Sequence, residues 1–177
     1  MIIKAYELNK IELNKYKLFL FYGDNEGLKD ELIKNIIVKK KIEKTTYFEN
    51  EILKDSDNFI ETLKTKSFFE NDKIIVIKKV TEKIKNLIEL IHSEKINDIT
   101  IILNSNLLEK KSKIRNFFEK EKEIICIPTY PDTNETLSKL AFVFFKNEKI
   151  LISQQNINLI VDKCKGDRNN LKNELEK

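Results

Sequence analysis

The chain has 177 residues, 41% hydrophobic and 35% charged, with a formal net charge of only +4. That length holds one sizeable core plus a smaller attached unit, and the composition fits a folded protein with a heavily charged surface. A single histidine, His92, and two distant cysteines, Cys126 and Cys164, exclude most Ser-His, Cys-His and histidine-rich zinc chemistry.

Leu18-Phe19-Leu20-Phe21-Tyr22 is a continuous apolar run, the pattern of a strand covered on both faces. It ends at Gly23-Asp24, where a helix can begin, and Leu28, Leu32, Ile33, Ile36 and Ile37 then share one helical face. Thr45 to Phe48 forms a moderate strand candidate, followed by a weaker helix from about Glu51 that carries Asp57, Phe59, Ile60 and Leu63. Ile74-Ile75-Val76-Ile77 is β-branched and gives the strongest strand signal, with a strand end expected at Lys78-Lys79. Ile84, Leu87, Ile88 and Ile91 resume helical spacing, and Ile99 to Leu103 reads as another buried strand with Asn104-Ser105-Asn106 as its polar exit. A short helix over Lys111 to Lys120 precedes the strand Ile124 to Ile127, which Pro128 stops.

Beyond Pro128 the pattern is helical. Pro131 to Asn134 is turn and cap material, and Leu137, Leu140, Ala141, Phe144 and Phe145 follow at helical spacing. Ser153 caps a helix bearing Ile157, Ile160, Val161 and Cys164, which Gly166 closes; Asp167 caps a third with Leu171 and Leu175. Strand–helix alternation implies right-handed crossovers and a mostly parallel sheet. The expected division is an α/β domain over 1–130 and a helical lid over 131–177, with the pattern still running at Lys177 as though the chain were the front part of a longer protein. Both cysteines read as small buried hydrophobes of a reducing compartment. No stretch reads as a signal or a membrane span, so the expected location is cytoplasmic.

A parallel α/β sheet followed by a small helical unit is the layout of AAA+ ATPases, built on a P-loop. That loop requires G-x-x-x-x-G-K-[ST], whose glycines let backbone N–H groups wrap phosphates while Lys and the hydroxyl serve phosphate and magnesium. The equivalent stretch is Gly23-Asp24-Asn25-Glu26-Gly27-Leu28-Lys29-Asp30. Its glycine spacing is one residue short, Leu28 stands between Gly27 and Lys29, and Asp30 replaces the hydroxyl. Asp24 and Glu26 would also set carboxylates against a polyanion. The acidic pair expected at the end of a later strand is missing at Lys78-Lys79 and at Asn104-Ser105. Two separate losses point to a module that neither binds nor hydrolyses ATP, with no cofactor and no metal. Gly23 then serves as a strand-to-helix turn, Asn104 as a turn cap, and Arg168, at the place of a lid arginine, as half of a structural ion pair.

Four stretches carry a family resemblance: Leu20 to Asp24; Ser67-Phe68-Phe69-Glu70-Asn71-Asp72-Lys73 running into Ile74 to Ile77; Leu108-Glu109-Lys110-Lys111-Ser112-Lys113; and Gly166-Asp167-Arg168 through Asn173 to Lys177. In this order they resemble the delta subunit of the bacterial DNA polymerase III clamp loader. The resemblance implies a subunit that binds the ring-shaped sliding clamp (the beta subunit) and opens it for loading onto primed DNA. Any polymerase activity would belong to the holoenzyme. It also implies gamma/tau and delta-prime subunits as partners of the full-length protein, through a helical C-terminal domain that nothing here matches. The family's apolar anchors fall on Phe68 and Phe69, after Ser67, with Phe in place of the usual Leu. The residues alone leave two readings open for the pair, a clamp anchor or rings folded back onto the sheet. A working P-loop ATPase, and a nucleic-acid-binding module using Lys110, Lys111, Lys113 and Arg115 on one short helix, are the competing functions.

Overall fold

In this computed structural model the described residues are 1–40, 44–69, 73–94 and 98–177; the side chains of residues 66–69 lie outside the description. Five strands alternate with helices: β1 (Leu18–Tyr22), α1 (Glu26–Lys40), β2 (Lys44–Phe48), α2 (Glu49–Lys54), α3 (Ser56–Phe69), β3 (Lys73–Val80), α4 (Lys85–Ser93), β4 (Ile99–Ser105), α5 (Lys113–Lys120) and β5 (Ile125–Pro128). All pair in parallel, in the order β2-β3-β4-β1-β5. Among the described residues two 3-10 segments, Ala5–Lys10 and Leu13–Lys15, lie ahead of β1. Ile2 pairs with Cys126, so that backbone covers part of the β5 edge.

Alternation of side chains across the pleat explains why the central strands read as unbroken apolar runs. Leu18, Leu20 and Tyr22 join Ile75, Ile77, Ile101 and Leu103 on one face, where Ile52, Leu63, Ile88, Ile114 and Phe118 from α2 to α5 cover them. Phe19, Phe21, Ile74, Val76 and Ile102 occupy the other face and are equally buried.

The structure differs from the sequence reading at the carboxyl ends of the strands. β3 does not stop at Lys78-Lys79 but continues to Val80, because Lys79, at φ 56°, is an extra residue that shifts the register from Lys78↔Asn104 to Val80↔Ser105. β4 likewise takes in Asn104 and Ser105, both buried, so Asn104 is a strand residue and not a turn cap. The weak helix expected from Glu51 is two helices, broken at Asp55, whose carboxylate accepts from Asn58 N–H at 3.2 Å.

The chain divides into two units, Met1–Gly23 with Glu31–Pro128 and Asp24–Asp30 with Thr129–Lys177. The second contains α6 (Asn134–Asn147), α7 (Gln154–Cys164) and α8 (Arg168–Leu175), packed around Leu137, Ala141, Ile157, Val161, Cys164 and Leu171. Each helix has the cap its sequence promises: Thr133, Ser153 and Asp167 all accept from a first-turn N–H. Among the described residues no helix is long and apolar enough to cross a membrane.

Both cysteines are buried free thiols. Burial, with a smaller contribution from Glu119, pushes the Cys126 thiol up to about 12 from its ordinary 9.0. The folded state therefore keeps the thiol neutral while the unfolded chain ionises it. Its contribution to stability is complete below pH 9 and is lost as pH rises toward 12. The unfolding free energy from urea titrations should fall with an added slope of up to ~1.4 kcal/mol per pH unit in that window. Cys126→Ala should lack this slope, and an equal slope in both proteins would refute the assignment.

Candidate functional site

The segment after β1 is where a P-loop would lie, and Asn25, Gly27 and Lys29 in it are engaged by protein. Asn25, buried, occupies the N-cap position of α1: its Oδ1 accepts from Leu28 N–H at 3.0 Å. Its Nδ2 donates to Tyr130 O at 3.0 Å and to Asp132 Oδ2 at 2.9 Å. Asp132 also takes both arms of Arg168, Nε to Oδ2 at 2.9 Å and Nη2 to Oδ1 at 2.7 Å. The two side chains are only 16% and 6% exposed, so this bidentate pair is largely withdrawn from water. The structural ion pair expected of Arg168 thus has its partner.

Gly27 lies in the first turn of α1 and faces the start of α8. A Cβ there would meet Asn169 Oδ1 at 2.8 Å, Asn169 N at 2.9 Å and Arg168 Cβ at 3.0 Å. The glycine is required by close approach of one helix to another. Lys29 is fully buried, with its Nζ 2.5 Å from Glu26 Oε1. Gly23, at φ 132°, makes the turn out of β1 and donates to Asn106 O at 3.3 Å.

Gly27→Ala supplies a clear test. In an ordinary helix interior Ala would stabilise by about 1 kcal/mol over Gly. Here the new methyl would press on a backbone nitrogen, so overpacking should win and the variant should lose about 1–3 kcal/mol in denaturant unfolding. Unchanged or raised stability would show that the two helices can separate at no cost.

Two acids lie by the carboxyl end of β3: Glu49, the first residue of α2, and Glu82, two residues beyond the strand. Glu49 accepts from Thr81 N–H at 2.7 Å and from Thr81 Oγ1 at 2.8 Å. Glu82 accepts from Lys113 N–H at 2.9 Å and Ile114 N–H at 3.1 Å, and from the Ser112 hydroxyl. These carboxylates cap a turn and the start of α5. Glu82, five residues past Ile77, follows β3 by two; only the full length of that strand would have revealed it.

Of the four candidate basic residues, Lys110 and Lys111 lie in the turn ahead of α5, and Lys113 and Arg115 are on the helix. Arg115 does not stand with the lysines. Its Nε donates to Glu119 Oε1 at 2.7 Å, an η nitrogen donates to Leu108 O at 3.0 Å, and its guanidinium lies 4.8 Å over the Tyr22 ring. Lys111 and Lys113 line an open groove of about 770 Å³ with Lys83, Lys85 and Leu107.

The backbone of Ser67, Phe68 and Phe69 forms the last turn of α3, immediately ahead of the segment leading into β3. Their side chains, and residues Glu70, Asn71 and Asp72, lie outside the described residues.

No protein-family model and no curated protein matches the sequence. Solved structures do match in fold. The Bacillus subtilis DNA clamp loader delta protein superposes with TM-score 0.57 at 12% identity, covering 97% of this chain and 56% of its own length. Thermotoga maritima RuvB gives TM-score 0.63 at 11% identity, covering 97% of this chain and 56% of that one. The replication initiator DnaA bound to AMPPCP and single-stranded DNA gives 0.60 at 14%, covering 97% of this chain and 59% of that one. This chain therefore spans little more than half the length of these structures. At such identities the likeness is one of fold: a five-stranded parallel sheet flanked by helices.

Proposed function

We propose that the chain is a delta-like clamp-loader module of DNA replication. It binds a bacterial-type sliding clamp through Ser67, Phe68 and Phe69 and opens the ring for loading, without hydrolysing ATP itself. The observation that carries the non-hydrolytic half is the Arg168–Asp132 pair beside Gly27: the groups an AAA+ site would turn toward nucleotide are engaged by the chain's own side chains. The clamp-binding half is supported by the four sequence stretches, by the likeness in fold to a delta protein, and by the motif's position at the end of α3. In a longer form of the protein, gamma/tau and delta-prime subunits would hydrolyse ATP, and this subunit would transmit their movement to the ring.

The test is a calorimetric titration of the chain with a bacterial sliding clamp, alongside ATPase and ATP-binding assays. Saturable clamp binding with no turnover is the expected result. ATP turnover abolished by Lys29→Ala would overturn the non-hydrolytic reading, and absence of clamp binding would overturn the delta-like one.

A nucleic-acid reading has one observation in its favour, the exposed lysines 110, 111 and 113 beside the open groove. It requires DNA affinity that falls steeply with salt.

A further inference from the structure

The Asp132 carboxylate sits among three donors from two different stretches of the chain, Nδ2 of Asn25 and two nitrogens of Arg168. An amide at a helix cap plus a guanidinium fork is a constellation suited to an oxyanion. Asp132 fills it from within. The same node joins the two stretches of the second unit. Asn25 caps α1, Asp132 precedes α6, and Arg168 opens α8. Gly166, at φ 79°, lets the chain close tightly on this point: Asp132 N–H donates to Gly166 O at 3.0 Å, and a Cβ on Gly166 would meet Asp132 O at 3.0 Å.

We propose that Asp132 is a resident anion that latches the segment Asp24–Asp30 to α8, taking the place of a bound phosphate. The latched site is a latent oxyanion site: removing the carboxylate would leave Arg168 and Asn25 able to receive a small anion from solution. This goes beyond the clamp reading and does not depend on it, since a chain that bound no clamp could still carry the latch.

Two consequences separate a latch from an ordinary buried ion pair. In the natural chain, hydrogen exchange over residues 24–30 and 167–175 should be slow and indifferent to added inorganic phosphate. In Asp132→Ala both segments should exchange faster together, on the order of a hundredfold, because Nε and Nη2 of Arg168 and one bond of Asn25 lose the carboxylate that joins them. Adding phosphate should then restore protection in both segments.

The control is Asp132→Ala with Arg168→Gln, in which phosphate should restore nothing. Restoration in that double variant as well would assign the effect to general salt stabilisation and overturn the proposal. So would Asp132→Ala exchanging no faster than the natural chain, or exchanging faster with no response to phosphate. Should Asp132→Ala prove unfolded by circular dichroism, Asp132→Ser, which keeps a short acceptor but loses the charge and vacates the carboxylate's place, carries the same test. It should show a smaller loosening that phosphate reverses, and no reversal would overturn the latch.

Discussion

Replacing Phe68 and Phe69 together by alanine should abolish measurable binding to a sliding clamp while leaving the fold of the chain intact. Two aromatic anchors desolvated in a partner pocket each contribute about 2 kcal/mol or more, so the pair is worth at least ~4 kcal/mol, on the order of a thousandfold in Kd. The stability readout decides between the two readings that the residues leave open. Rings folded onto the sheet as core would cost about 3–5 kcal/mol each on truncation, and the double variant would unfold in far less denaturant. Rings held out as anchors would leave the urea midpoint nearly unmoved. Lost clamp affinity with unchanged stability supports the anchor. Equal affinity in both proteins removes these residues from the interface, and lost stability assigns them to the core.

The legible parts of the fold are those governed by local burial. β1, β3, β4 and β5 announce themselves as unbroken apolar runs because helices cover both faces, whereas the edge strand β2 alternates exposed and half-buried residues and gives a weaker signal. Helix starts in the second unit were readable from Thr133, Ser153 and Asp167, since capping chemistry is local. Strand ends were not. Lys78 and Lys79 look like a stop, yet a bulged residue at positive φ lets exposed lysines stand inside a strand that resumes with the buried Val80. The Ala5–Lys10 and Leu13–Lys15 segments are too short for any period to emerge.

At the site, the sequence exposes what is missing from a P-loop, because a motif is a local spacing. It does not expose what replaces it, because Asp132 and Arg168 are 36 residues apart. One compositional signal pointed there: in a chain whose cations are nearly all lysine, the only two arginines are Arg115 and Arg168. Each turns out to bind a carboxylate, at Glu119 and at Asp132. Where a planar fork of donors is needed, lysine's point charge will not serve.

That geometry makes Arg168→Met the second change of large effect. In an AAA+ protein that uses its lid arginine on nucleotide, removing the guanidinium should weaken nucleotide handling and spare the fold. Here the order should be reversed. Met keeps much of the apolar stem but leaves the Asp132 carboxylate, 6% exposed, with Asn25 as its remaining side-chain donor in the node. Breaking a buried pair from one side costs about 3–5 kcal/mol; some relief by water at the 16% exposed arginine position argues for the lower end. The helical unit should therefore unfold at lower denaturant than the sheet unit, separating into two transitions. ATP at millimolar concentration should shift neither protein's melting temperature, because ligand stabilises only a state that binds it. A variant as stable as the natural chain would show that the ion pair is idle. A natural chain stabilised by ATP, with the effect lost in Arg168→Met, would return the arginine to nucleotide sensing.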